Sequence, residues 1–135
     1  MATTTHKTTL GSKNAAATVA VKDLAKARTF YEENLGLKLV ATEGDQVAIY
    51  QTGDSQLMVY VSRFAGTNQA TGVTWVLGEE LEEEVEALNG KGIHFEHYDD
   101  MPETTRHGDI HLSGDVKVAW FKDPDGNIIS LVNGK

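Results

Sequence analysis

One pattern of elements occurs twice in this chain, and it constrains the fold more tightly than any other sequence feature. Ala15 to Val21 is a run of small and β-branched apolar residues, which predicts a buried strand. Asp23 then stands at an N-cap position, and Leu24, Ala27, Tyr31 and Leu35 recur at helical spacing with Phe30 beside them. Gly36 follows as the C′ residue, where the left-handed conformation costs glycine least. Three strands are expected next, at 37–42, 46–52 and 56–62, with a Gly53-Asp54 turn between the last two. The order then starts again. A strand at 72–77 precedes a helix at 79–88, whose apolar residues are Leu81, Val85 and Leu88. After the loop Asn89-Gly90-Lys91-Gly92, strands are expected at 93–98, near 116–122 and at 127–133. Strand–helix–three strands written twice is an internal repeat, and it sets the architecture. It divides the chain into an arm at 1–14, a first unit at 15–71 and a second at 72–135, together one domain. The second unit carries a polar insertion, Asp99 to Asp115, holding two of the five histidines.

The repeat strands are apolar on adjacent positions, as in Val47-Ala48-Ile49-Tyr50 and Leu57-Met58-Val59-Tyr60-Val61. A sheet covered on one side would alternate cleanly, so the second face must also be hidden, by closure around a cup or by a partner chain. Composition excludes several other readings. A length of 135 residues suits one domain, and the longest weakly polar stretch is far short of the ~20 residues of a spanning helix. Zero cysteines exclude disulfides, thiolate metal sites and cysteine nucleophiles, and fit a reducing, cytoplasmic setting. The net charge of −8 opposes nucleic acid and anionic membranes as partners. The Thr- and Lys-rich start lacks the apolar core of a secretory signal and reads as a loose arm.

Two motifs carry a family likeness. Val21-Lys22-Asp23-Leu24 with Ala27, Phe30-Tyr31 and Leu35-Gly36-Leu37 resembles the opening of a vicinal oxygen chelate module, the glyoxalase, bleomycin-resistance and extradiol dioxygenase group. Ala119-Trp120-Phe121-Lys122-Asp123-Pro124-Asp125-Gly126-Asn127 resembles the terminal hairpin of the same family. The likeness spans about residues 15 to 133. It implies an α+β fold of two βαβββ modules, forming a curved mixed sheet around a concave cup, and a homodimer. It also implies metal ligands on the first and last strands of each module. Counted from the motifs, those positions fall on Ala16 and Val59 (or Tyr60 with a one-residue slip), and on Val73 and Ser130. None supplies an imidazole or carboxylate, and a serine hydroxyl is a poor transition-metal ligand. No metal and no cofactor is therefore expected, and the enzyme reading yields to a binding reading.

The remaining candidates divide by chemistry. His107 and His111 read first as solvated loop histidines. In an extended segment they share one side, and with His97, Asp99 and Asp100 the alternatives are a lining of the pocket mouth or the relocated metal site of a metal-dependent lyase, isomerase or dioxygenase. His94 and His97 lie on opposite faces of one strand. Asp123–Asn127 lacks the twelfth-position carboxylate of a calcium loop and reads as a tight hairpin. The glutamates of 79–86 read as a solvated helix face. Taking the ligand positions as cup-facing, alternation adds Thr18, Leu57, Val61, Trp75 and Val132 to the cup, and hairpin counting adds Trp120 and Ile49. The expected ligand-binding set is Ile49, Leu57, Val59, Trp75, Trp120, Ser130 and His111. Two indoles in an apolar concavity suit a flat aromatic or cationic guest. The expected function is metal-free binding of a small organic molecule, in the manner of drug- or toxin-sequestering family members.

Overall fold

A computed structural model describes residues 10–12 and 14–134. The arm expected at 1–14, with His6, lies mostly outside the described residues, and Leu10–Ser12 form one 3-10 turn. Strand β1 (Ala17–Val21) leads to helix α1 (Leu24–Arg28). Asp23 caps α1, its carboxylate accepting from the amides of Ala25 and Lys26 at 2.9 and 3.3 Å. The helix does not continue to Leu35 with α geometry. Over Thr29–Asn34 it widens to π spacing, with the Leu35 amide donating to the Phe30 carbonyl, and Gly36 then takes φ +71°. Strands β2 (Lys38–Glu43), β3 (Val47–Thr52) and β4 (Ser55–Val61) complete a first sheet in the order β1-β4-β3-β2. β1 runs parallel to β4, and the other pairs are antiparallel.

The second half repeats this with β5 (Thr71–Val76), a 3-10 turn at Gly78–Glu80 and α2 (Leu81–Gly90). It continues with β6 (Phe95–Glu96), β7 (Thr105–His107), β8 (Ile110–Ser113), β9 (Val116–Lys122) and β10 (Ile128–Val132). The second sheet runs β5-β10-β9-β8-β7, with β5 parallel to β10 and β6 pairing with β9. The strand expected at 93–98 thus shrinks to two residues. The insertion instead supplies the β7–β8 hairpin, turning at Gly108 with φ +60°.

Each sheet turns one face to the helices. In the first sheet that face carries Val19, Val21, Tyr50, Leu57 and Val59, packed on Leu24, Ala27 and Tyr31 of the α1 segment. In the second it carries Val73, Ala119, Phe121, Ile129 and Leu131, with Leu81, Val85 and Leu88 from α2. These residues form one apolar core. The register corrects the expected cup face. Ala17 pairs with Leu57 and Val19 with Val59, so Leu57, Val59 and Val61 face the helices, and Tyr60 occupies the open face. Val73 and Trp75 pair with Ile129 and Leu131 and also face the helices, leaving Thr74 beside Ser130. β4 is apolar at both parities, so its alternation holds no signal. In β5 Val73 and Trp75 do alternate with Gly72 and Thr74, and it is the count from the motifs that assigns them to the other face. Trp120 does pair with Ser130, on the open face with Val132, while Ile49 holds the corresponding face of the first sheet. No helix among the described residues is long and apolar enough to cross a membrane.

Candidate functional site: the seam between the sheets

The two sheets meet along β1 and β5 without a backbone ladder between them. The contact is close: a Cβ added to Gly72 would lie 3.9 Å from Val19 Cγ1. The two ends of this seam are built differently.

One end is locked by the β9–β10 hairpin. Asp123 is 4% exposed, and both of its oxygens are used within the protein. Oδ1 accepts from the amides of Asp125 and Asn127 at 3.0 and 2.8 Å. Oδ2 accepts from the Tyr31 hydroxyl and the Asn127 side-chain amide, both at 2.8 Å. Asn127 Nδ2 also donates to the Ala20 carbonyl at 2.7 Å, so the hairpin of the second sheet holds the first strand of the first. Burial, reinforced by Asp123, pushes the Tyr31 phenol well above its ordinary pKa, keeping it protonated as a donor. A carboxylate committed to four protein donors serves a turn and a tether, in keeping with the hairpin reading of Asp123–Asn127.

The other end is open. In the register, Leu57 corresponds to Ile129 and Tyr50 to Phe121, so Thr52 and Ser55 stand where Asp123 and Asn127 stand in the second sheet. Their hydroxyls lie 2.9 Å apart and Ser55 Oγ lies 3.0 Å from the Thr52 carbonyl, so among the described residues neither side chain bonds across the seam. What remains is a cleft of about 670 Å³ between Ala17 and Leu57 on one side and Thr74 and Trp75 on the other. Lys38, Gln51 and Gln56 contribute its polar wall. A second, smaller recess of about 90 Å³ lies among Leu35, Leu77, Leu88, Phe121 and Leu131. Leu37 and Trp75 line both.

The expected binding residues therefore separate. Leu57 and Trp75 line the cleft. Ser130 approaches it through Thr74, the two hydroxyls lying 2.7 Å apart. Val59 is fully buried in the core and lines nothing, which removes it from the set. Ile49 and Trp120 sit on the open sheet faces, outside the cleft. His111 belongs to an aromatic cluster with Trp120, their ring centroids 4.9 Å apart, and Tyr98 lies 5.2 Å from Trp120. His111 is 2% exposed, and its Nε2 accepts the Tyr98 amide at 2.9 Å, so the proton sits on Nδ1, which meets no well-formed hydrogen bond among the described residues. Burial is the main cause of its lowered pKa, with the Val118 backbone acting the other way.

His107 and His111 do not come together. The turn at Gly108-Asp109 folds the segment back, pairing His107 with Ile110 and Arg106 with His111, so the two histidines face opposite ways. His97 bonds Asp109 at 2.7 Å, and Arg106 grips Asp99 with two bonds of 2.7 and 3.1 Å. Leu37, Lys38, Gln51, Gln56 and Thr74 were absent from the expected set. The short Gly53-Asp54 turn was the one signal near them, and it reports a hairpin, not what faces it.

With this geometry in place, the comparisons identify the family. The chain matches the Glyoxalase/Bleomycin resistance protein/Dioxygenase superfamily over residues 14–131. It belongs to that superfamily. Solved structures agree on the superfamily fold. Lactoylglutathione lyase from Agrobacterium tumefaciens superposes with a TM-score of 0.66 at 19% identity, covering 90% of this chain and 92% of that one. Fosfomycin resistance protein FosX from Mesorhizobium loti gives 0.64 at 12%, covering 91% and 92%. FosX from Listeria monocytogenes, complexed with Mn(II) and sulfate, gives 0.67 at 17%, covering 92% and 91%. No curated protein matches the chain significantly.

The superfamily includes metal sites, so the donor set here decides whether one fits. Of the positions expected to ligate, Ala16 and Val59 offer no lone pair. Val73 faces the helices, and its neighbour Thr74 is hydrogen-bonded to Ser130. The slipped alternative, Tyr60, offers only a phenol. Among the described residues no group of three His, Asp or Glu side chains is placed to hold an ion. These residues do not fit a transition metal.

Proposed function

We propose that this superfamily member is a metal-free binding protein for a small organic molecule, held in the open end of the seam. The observation that carries the reading is a cleft of about 670 Å³, walled by both sheets, whose polar groups are amides, hydroxyls and one ammonium. That volume falls within the usual range for small-molecule sites. Trp75 supplies a half-buried ring for stacking, and Leu37 and Leu57 supply apolar area. Lys38 is the charged side chain of the wall, so the guest is neutral or anionic, in place of the cationic guest that two indoles in one concavity suit. Sequestration of a drug or toxin is the role this gives the protein. The reading includes two modules at 15–71 and 72–135, a cytoplasmic setting and a homodimer. Pairing would cover the open sheet faces, where Tyr60 and Val76 are 37% and 56% exposed.

The test has two parts. Protein purified without chelator or affinity-column metal is expected to carry no stoichiometric transition metal, and one tightly held ion per subunit would sink the metal-free claim. Fluorescence titration with 1-anilinonaphthalene-8-sulfonate is expected to saturate, to weaken about tenfold or more in Trp75→Ala, and to stay unchanged in Trp120→Ala. Equal weakening in both variants would move the site away from the seam. That His107 and His111 face opposite ways supports this reading over the relocated metal enzyme.

A further inference from the structure

Resting on that seam reading, we infer the class of molecule it takes: an amphiphilic organic anion, whose carboxylate or sulfonate meets Lys38 while its short apolar tail enters the recess behind Trp75. Three observations converge on this. The first is the state of the lysine. Lys117 and Lys122 are engaged by Glu82 and Glu96, whereas Lys38 pairs with no carboxylate among the described residues. On the same row of the sheet, with Gln51 of β3 between them, the side-chain amide of Gln56 makes no hydrogen bond among the described residues. An ammonium and an unengaged amide in one wall make a donor pair for an anionic head.

The second observation is the shape of the space. Leu37 and Trp75 line both cavities, so cleft and recess are adjacent, and a tail extending from one into the other would displace or pass these two side chains. At about 90 Å³ the recess is smaller than the roughly 150 Å³ apolar cavity that admits benzene, so it suits a branched alkyl end or the edge of one ring. Its walls are five leucines, Trp75 and Phe121, with Glu84 the one polar side chain, so water finds few partners there.

The third is the charge at the far end. Glu84 stands at the recess, so the site is positive where the cleft opens at Lys38 and negative where the tail would lie. An anion entering head-first would meet Glu84, and entering tail-first it keeps its charge at Lys38. A cation is held the opposite way round, with its apolar body left in the polar part of the cleft.

A matched series tests the assignment: 4-phenylbutanoate, 4-phenylbutanamide and 4-phenylbutylamine, titrated calorimetrically into the intact protein. The expected order is acid, then amide, then amine, with about fivefold between acid and amide. Lys38→Met, a surface change that leaves the core untouched, is expected to bring acid and amide to equal affinity. Leu77→Phe, which narrows the recess, is expected to weaken all three while preserving their order. An amine that binds as tightly as the acid, or an acid preference that survives Lys38→Met, would overturn the inference and leave the seam site standing. Failure of all three to bind would remove the seam site itself, and this assignment with it.

Discussion

The two ends of the seam start from the same plan and finish as opposites. Each is a hairpin between the last two strands of a half, set against the first strand of the other half. In the second sheet the hairpin loop is one residue longer and carries Asp123 and Asn127, which reach Tyr31 and Ala20. In the first, Thr52 and Ser55 are too short to cross, and a cleft stays open. One pair of polar side chains, long enough or too short, separates a structural lock from a binding site. Within one fold, function has room where the stabilising contact is missing.

Substitutions at the two ends break or sharpen that contrast. Asp123→Ala should have the largest effect, about 3–5 kcal/mol in urea denaturation, because Tyr31, Asn127 and two amides lose a buried acceptor together. A loss below 1 kcal/mol would mean that the locked end contributes no more than the open one. Glycines give the next comparison. Gly66 has φ +79°, and a Cβ there would lie 2.5 Å from the Asp125 carbonyl oxygen, whereas Gly53 has φ +57° and open space around it. Gly66→Ala should cost about 3 kcal/mol and Gly53→Ala about 1, the difference being the clash at the locked end. Similar melting temperatures for the two variants would contradict this.

A smaller effect is expected with pH. His111 has a folded pKa below its ordinary 6.5, so between 6.5 and that lower value the unfolded chain binds the extra proton. Stability should fall as pH drops below 6.5, and His111→Gln should flatten that slope. A wild-type slope that persists in the variant assigns the protonation elsewhere. Smallest of all, the double change Thr52→Ala with Ser55→Ala should alter stability by no more than about 0.5 kcal/mol, since the hydroxyl pair is solvent-accessible.

The repeat, both helices and eight of the ten strands are legible from apolar spacing, Asp23 and the turn residues; β7 and β8 are not. Strand faces were less so. Leu57 to Val61 is apolar at every position, so period-two reasoning had nothing to hold, and the count from the motifs placed Val59 and Trp75 on the wrong face. The hairpin β7–β8 was read as a polar insertion because its strands span three and four residues. Asp123-Pro124-Asp125-Gly126-Asn127 was recognisable as a turn, yet its role as a lock depends on Tyr31, which lies 92 positions away. The cleft was invisible for a related reason. It is bounded by residues from five separated stretches, and none of them is unusual alone.

Parallel pairing also governs the order in which this chain can acquire its structure. Ala17 has no partner until Leu57 exists in place, and Val73 none until Ile129 does. Each first strand waits, unladdered, while the antiparallel hairpins behind it close quickly over short loops. The Tyr31–Asp123–Asn127 tether requires both halves, so it is among the last bonds to form. On a ribosome, the N-terminal half is finished while the residues that clamp it are still unsynthesised, and its β1 edge stays exposed for that interval.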